Sequence, residues 1–110
     1  MANTFRNQTL KAAGTTAQNA YAAGAGVQAT VIGMTIANIT NSPISANVIL
    51  SGGNITGNVY LVQSATIAPG GALVPVGGDQ KLVLEAGDYL QVNTSIASSA
   101  DVITSILEIT

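Results

Sequence analysis

The sequence predicts an all-β protein, an antiparallel β-sandwich of about eight strands, jelly-roll-like or immunoglobulin-like, preceded by an N-terminal arm. Three observations carry that reading. Short runs rich in Val, Ile, Leu and Thr recur from residue 17 onward. Each run is closed by Gly, Pro, Asn or Ser, the residues that punctuate turns. None sustains the 3.6-residue apolar period of an amphipathic helix. A length of 110 residues fits one domain.

Residues 1–16 are polar, with Phe5 and Leu10 as isolated apolar groups, and the stretch 11–16 reads as linker. They are assigned to the arm, extended or partly helical, and residues 17–110 to the sandwich. The first strand is 18–22, carrying Tyr21, and the Gly-rich stretch 23–26 turns the chain. The longest run is 27–40, in which Ile32, Met34 and Ile36 share one face because side chains alternate along a strand. That face holds the bulkiest set and is expected to be the core, with Val31 and Thr35 opposite. Gly33, mid-run, signals a bulge or a close backbone approach. Pro43 breaks the run, 45–50 is the next strand, and 51–54 turns into a strand at 58–63 with Tyr60.

Pro69 and Gly70 then mark a turn before the strand 72–76, where Pro75 favours a sheet edge. Gly77, Gly78 and Asp79 turn the chain into a strand at 81–85, and residues 85–88 form a tight turn before 89–94. The loop 95–101 is small and polar, and 102–110 closes the chain with Ile103, Leu107 and Ile109 on one face. Segments 48–50, 82–84 and 106–107 are apolar at consecutive positions. An antiparallel sheet facing water on one side alternates apolar with polar, so a partner is expected to cover the second face of these strands.

Composition narrows the function. The chain has no His, Cys or Trp, and its Lys, Arg, Asp and Glu make up 7% of residues, against about 25% in ordinary globular domains. His and Cys supply most groups that titrate or attack near neutral pH and most ligands of zinc, iron and copper. No enzyme activity and no cofactor are therefore expected. A net charge of −2 gives no basic footprint for nucleic acid or an anionic membrane surface. No apolar stretch is long enough for a membrane-spanning helix, and no secretory signal is recognised. So weakly charged a surface favours association over a solitary life in water.

Among possible sites, Asp79, Glu85 and Asp88 sit on two turns around one strand and could offer oxygen to calcium. Their spacing matches no calcium loop, and short acids in turns ordinarily bond nearby backbone amides, so no metal site is assigned. Tyr21, Tyr60 and Tyr89 are read as core or interface anchors. The candidate partner-binding residues are Phe5, Arg6, Leu10 and Lys11. They combine the arm's two large apolar groups with two of the chain's three basic ones, on an otherwise acidic body.

The opening MANTFRN, the stretch VIGMTIANITNSP, the run PGGALVPVGGDQKLVLEAGDYLQV and the closing SILEIT together resemble small structural proteins of tailed phages, especially those infecting cyanobacteria. The resemblance spans nearly the whole chain and rests on turns and strand ends. It implies a β-sandwich module made in the host cytoplasm and carried in the virion. The leading role is a capsid decoration or cement protein, a homotrimer that binds the major capsid protein or other virion proteins. A tail, neck or baseplate component is the alternative, and a carbohydrate-binding module the alternative of another class, disfavoured by the scarcity of aromatic side chains.

Overall fold

In a computed structural model, which describes residues 2–53, 55–77 and 80–110, nine strands form two antiparallel sheets. The strands are β1 Asn3–Ala13, β2 Gln18–Ala22, β3 Gln28–Asn38, β4 Ile44–Gly52, β5 Val59–Ile67, β6 Ala72–Val76, β7 Leu82–Leu84, β8 Asp88–Thr94 and β9 Ala100–Ile109. One sheet runs β1-β9-β3-β6, with β7 also pairing β3; the other runs β2-β8-β4-β5. Below they are the β9 sheet and the β8 sheet. Their inner faces meet in one core that includes Val31, Met34 and Ile36 from β3, Val48 from β4, Leu84 from β7, Leu90 and Val92 from β8, and Val102 and Ile106 from β9.

The eight strands expected from residue 17 onward are all present, and the ninth is the segment read as an arm. Residues 3–10 pair with β9 in unbroken antiparallel register, from Asn3 opposite Ile109 to Leu10 opposite Val102. The N-terminal residues thus belong to the sandwich as an edge strand. Their sparse apolar content misleads because an edge strand presents few side chains to the core. The stretch read as linker is a built corner. Ala12 takes a left-handed φ of 54° and its amide donates to the Asp101 carboxylate at 2.9 Å. Ala13 is fully buried. Gly14 lies so close to the 97–98 backbone that a Cβ there would meet the Ser98 nitrogen at 2.9 Å.

The expected bulge at Gly33 is real, and it reverses part of the face assignment around it. The pairing of β3 with β9 slips between Val31 and Gly33, leaving Ile32 as the extra residue. Val31, not Ile32, therefore faces the core on the N-terminal side of the bulge, while Met34 and Ile36 face it on the other side. Strict alternation cannot anticipate this, because an inserted residue inverts the parity of everything before it.

Two turns follow their sequence chemistry. Gly71 N–H donates to the Ala68 carbonyl at 2.9 Å, and Asp88 N–H to the Glu85 carbonyl at 2.9 Å. In each the third residue has positive φ, 72° at Gly70 and 91° at Gly87, as a type II turn requires. The β3–β4 connection is fixed instead by a side chain. Buried Asn38 donates to the carbonyls of Ser42 and Ile67 and accepts from the Thr40 amide and hydroxyl, which uses all its hydrogen-bonding capacity.

Candidate association surface

The two outer faces differ sharply in chemistry. Residues opposite one another in antiparallel register share a face. On the β9 sheet, Phe5 lies opposite Leu107, Leu107 opposite Thr30, and Thr30 opposite Val83. One row thus crosses four strands. A second row runs from Thr9 through Ile103 to Thr35, with Val74 on the neighbouring β6. Phe5 is 75% exposed, Val83 64%, Val74 59% and Ile103 51%. Such large side chains normally hide from water; these four lie on one side of one sheet, while Ile39, Val59, Tyr60 and Ile96 are exposed elsewhere among the described residues. Between the rows, the small Ser105 and Gly33 face each other, and a depression of about 290 Å³ opens beside Phe5, lined also by Arg6, Asn7, Ile32, Ser105 and Ile106.

The outer face of the β8 sheet is amide-lined across β2, β8 and β4, with Tyr60 exposed on the edge strand β5. Asn47 donates to Asn93 at 2.9 Å across β4 and β8, and Gln91 reaches Asn19 across β8 and β2 at 3.3 Å. Ile49, though on that face, is covered by its own chain. Of the consecutive apolar positions in the sequence, 82–84 and 106–107 thus do send a residue outward on the β9 sheet, while 48–50 is closed internally.

The predicted partner-binding residues are brought onto one strand but divided in role. Phe5 stands on the outer face. Leu10 packs against the core. Arg6 and Lys11 are each engaged within the chain, Arg6 with Glu108 at 3.2 Å and Lys11 with Asp101 at 3.0 Å. The basic groups thus tie β1 to β9 while staying exposed, and of the two apolar groups Phe5 is the one turned to the outer face. The remaining large apolar residues of the face, Val74, Val83, Ile103 and Leu107, were legible as strand residues; their joint exposure was not.

Tyr21 is a core anchor: it is 2% exposed and its hydroxyl donates to Glu108 at 2.5 Å, joining β2 of one sheet to β9 of the other. Burial, and then the hydrogen bond to the carboxylate, push its phenol well above the ordinary range. Asp101 is held below the usual carboxylate range by the Ala12 amide first and the Lys11 ammonium second. Tyr60 is exposed and Tyr89 half-buried. Of the acidic trio, Asp79 lies outside the described residues. Glu85 is exposed, and buried Asp88 accepts from the Glu85 amide at 3.1 Å, the role of a turn acid. Among the described residues no three acidic side chains gather as a metal site would require.

No protein-family model matches the chain, and no curated protein matches it. Among solved structures it is similar to a subunit of the Bacillus endospore appendages described as a novel family of disulfide-linked pili. The TM-score is 0.58 at 15% identity, over 99% of this chain and 87% of that one. At that identity the likeness is one of fold, and it identifies the architecture as an all-β sandwich found elsewhere in nature.

Proposed function

We propose that this protein is a non-enzymatic structural subunit that works in many copies within a larger assembly, packed through the outer face of its β9 sheet. The observation that carries the reading is the cluster of Phe5, Val74, Val83 and Ile103 on that face. An apolar patch rimmed by polar groups marks an interaction site. In a chain with eight charged side chains, little else keeps copies apart. Each contact is modest, and repetition over a regular array makes the sum strong.

The assembly we propose is a phage virion, with the subunit decorating the capsid and touching the major capsid protein. The support for that location is the resemblance of the sequence to tailed-phage structural proteins. A second reading is a fibre or appendage subunit, favoured by the likeness to a pilus protein. The absence of cysteine means that any fibre of this chain would be held without disulfides. Quantitative mass spectrometry of purified particles tests the reading. Hundreds of copies per particle support decoration, and a few dozen or fewer place the subunit in a tail or neck. Absence from both particles and fibres would overturn it.

A further inference from the structure

We infer that the occupant of the β9-sheet outer face is the same face of a second copy, stacked sheet on sheet about a two-fold axis. The inference rests on the reading of this chain as a self-associating subunit and names the surface and its partner.

Charge is the first argument. The two rows and the strip between them carry Phe5, Leu107, Thr30, Val83, Asn7, Ser105, Gly33, Thr9, Ile103 and Thr35 without a single ionised group. Charge stays at the margins: Lys11 with Asp101 at the end of β1, Arg6 with Glu108 beside the depression, and exposed Lys81 and Glu85 just beyond the two ends of β7. A two-fold contact sets each surface against itself, so any unpaired charge near its centre would face its own kind. This face has none there. The outer face of the β8 sheet, by contrast, carries hydrogen-bonded amides across β2, β8 and β4, with its exposed Tyr60 confined to the edge strand β5.

Relief is the second argument. Phe5 projects from β1 at the side of the depression, whose lining includes Ile32, Ser105 and the Glu108-paired Arg6. When two such faces stack at the usual sheet spacing of about 10 Å, a large side chain of one must enter a hollow of the other. The Phe5 ring of each copy has such a hollow to enter beside its partner's Phe5. Area is the third. Four strands at about 4.8 Å and eight residues at about 3.3 Å give roughly 500 Å² per copy. The total of roughly 1,000 Å² stands at the lower bound of specific interfaces, so the pair is weak and concentration-dependent. A face that meets itself closes at two, so a trimer would require a second, different contact.

The test is a charge-exchange experiment in the full chain. Ser105 is exposed at the centre of the face, so S105K and S105E leave the core intact, which thermal melts verify. Sedimentation equilibrium up to about 1 mM chain should show wild-type dimers, monomers for either variant alone, and dimers again when the two are mixed. N93K, on the opposite outer face, should dimerise like wild type. A monomeric wild type throughout overturns the inference, even if particle counting upholds the assembly role. Dimerisation abolished by N93K but not by S105K overturns it too, as does failure of the mixture to recover.

Discussion

The hydroxyl of Tyr21 and the carboxylate of Glu108, 2.5 Å apart, form a side-chain bridge between the two sheets, and the Arg6 guanidinium meets the same carboxylate oxygen, Oε2, at 3.2 Å. One strand from each layer and the edge strand β1 thus meet at a single acid. Tyr21→Phe should keep the packing and lose the bond, leaving Glu108 with Arg6 alone. A loss of about 1–3 kcal/mol in denaturant unfolding is expected, the range for a bond to a charged partner. The pH dependence has a fixed sign. The folded state raises the phenol above its unfolded value, so this contribution is complete below about pH 10 and falls as pH rises beyond it. The wild type should therefore lose more stability than Tyr21→Phe between neutral and strongly alkaline pH.

At the other end of β1, Asp101 should act in the opposite direction. Its folded-state carboxyl is lowered, so it stabilises the protein above the ordinary aspartate range, and the benefit is lost as pH falls through that range and below. Asp101→Asn should flatten the acid limb of the stability profile, read by thermal melts from neutral pH down to about pH 2. An unchanged acid limb would show that the Ala12 amide and Lys11 do not hold this group in solution.

Deleting residues 2–13 should be severe. The deletion strips the edge of β9, uncovers Val102 and Ile106, and removes buried Ala13. Losing an edge strand and its core contacts costs more than the marginal few kcal/mol that hold a domain of this size. Circular dichroism should show a melting temperature lowered by about 10 °C or more, or no cooperative melt at all. A nearly unchanged melt would mean that β1 is dispensable and the segment behaves as an arm.

The bulge on β3 gives a paired test. Val31→Asp would bury an unpaired charge in the core, whereas Ile32→Asp falls on the bulged residue, which is partly exposed. The first should cost several kcal/mol and the second far less. Equal losses in a thermal melt would place the bulge elsewhere.

Thr104 offers a gain. Its hydroxyl is fully buried with no hydrogen-bond partner among the described residues. Thr104→Val keeps the shape and removes the unmet polar atom, so a stabilisation of about 1 kcal/mol is expected in urea unfolding. Asn38→Ala is the contrary case. It removes the side-chain partner of the Ile67 carbonyl and the Thr40 amide, while the exposed Ser42 carbonyl keeps the Thr40 hydroxyl, and should cost about 2 kcal/mol.

The all-β class, the turns at Gly70 and Gly87 and eight of the nine strands follow from the order of residues alone, because alternation and turn chemistry are local and act within a few residues. Gly33, with no side chain, pointed to a bulge or a close backbone approach, and the bulge falls on its neighbour Ile32. What depends on distant partners emerges once the strands are paired. Residues 3–13 are a strand because β9, ninety residues later, supplies the hydrogen bonds and the acids that Arg6 and Lys11 require. Val31 rather than Ile32 is core because the slip exists only in the pairing of β3 with β9. Phe5 shares a row with Val83 because two intervening strands bring them onto one face. Local pattern gives each strand two faces, and which of them meets water is fixed only when the sheets are assembled.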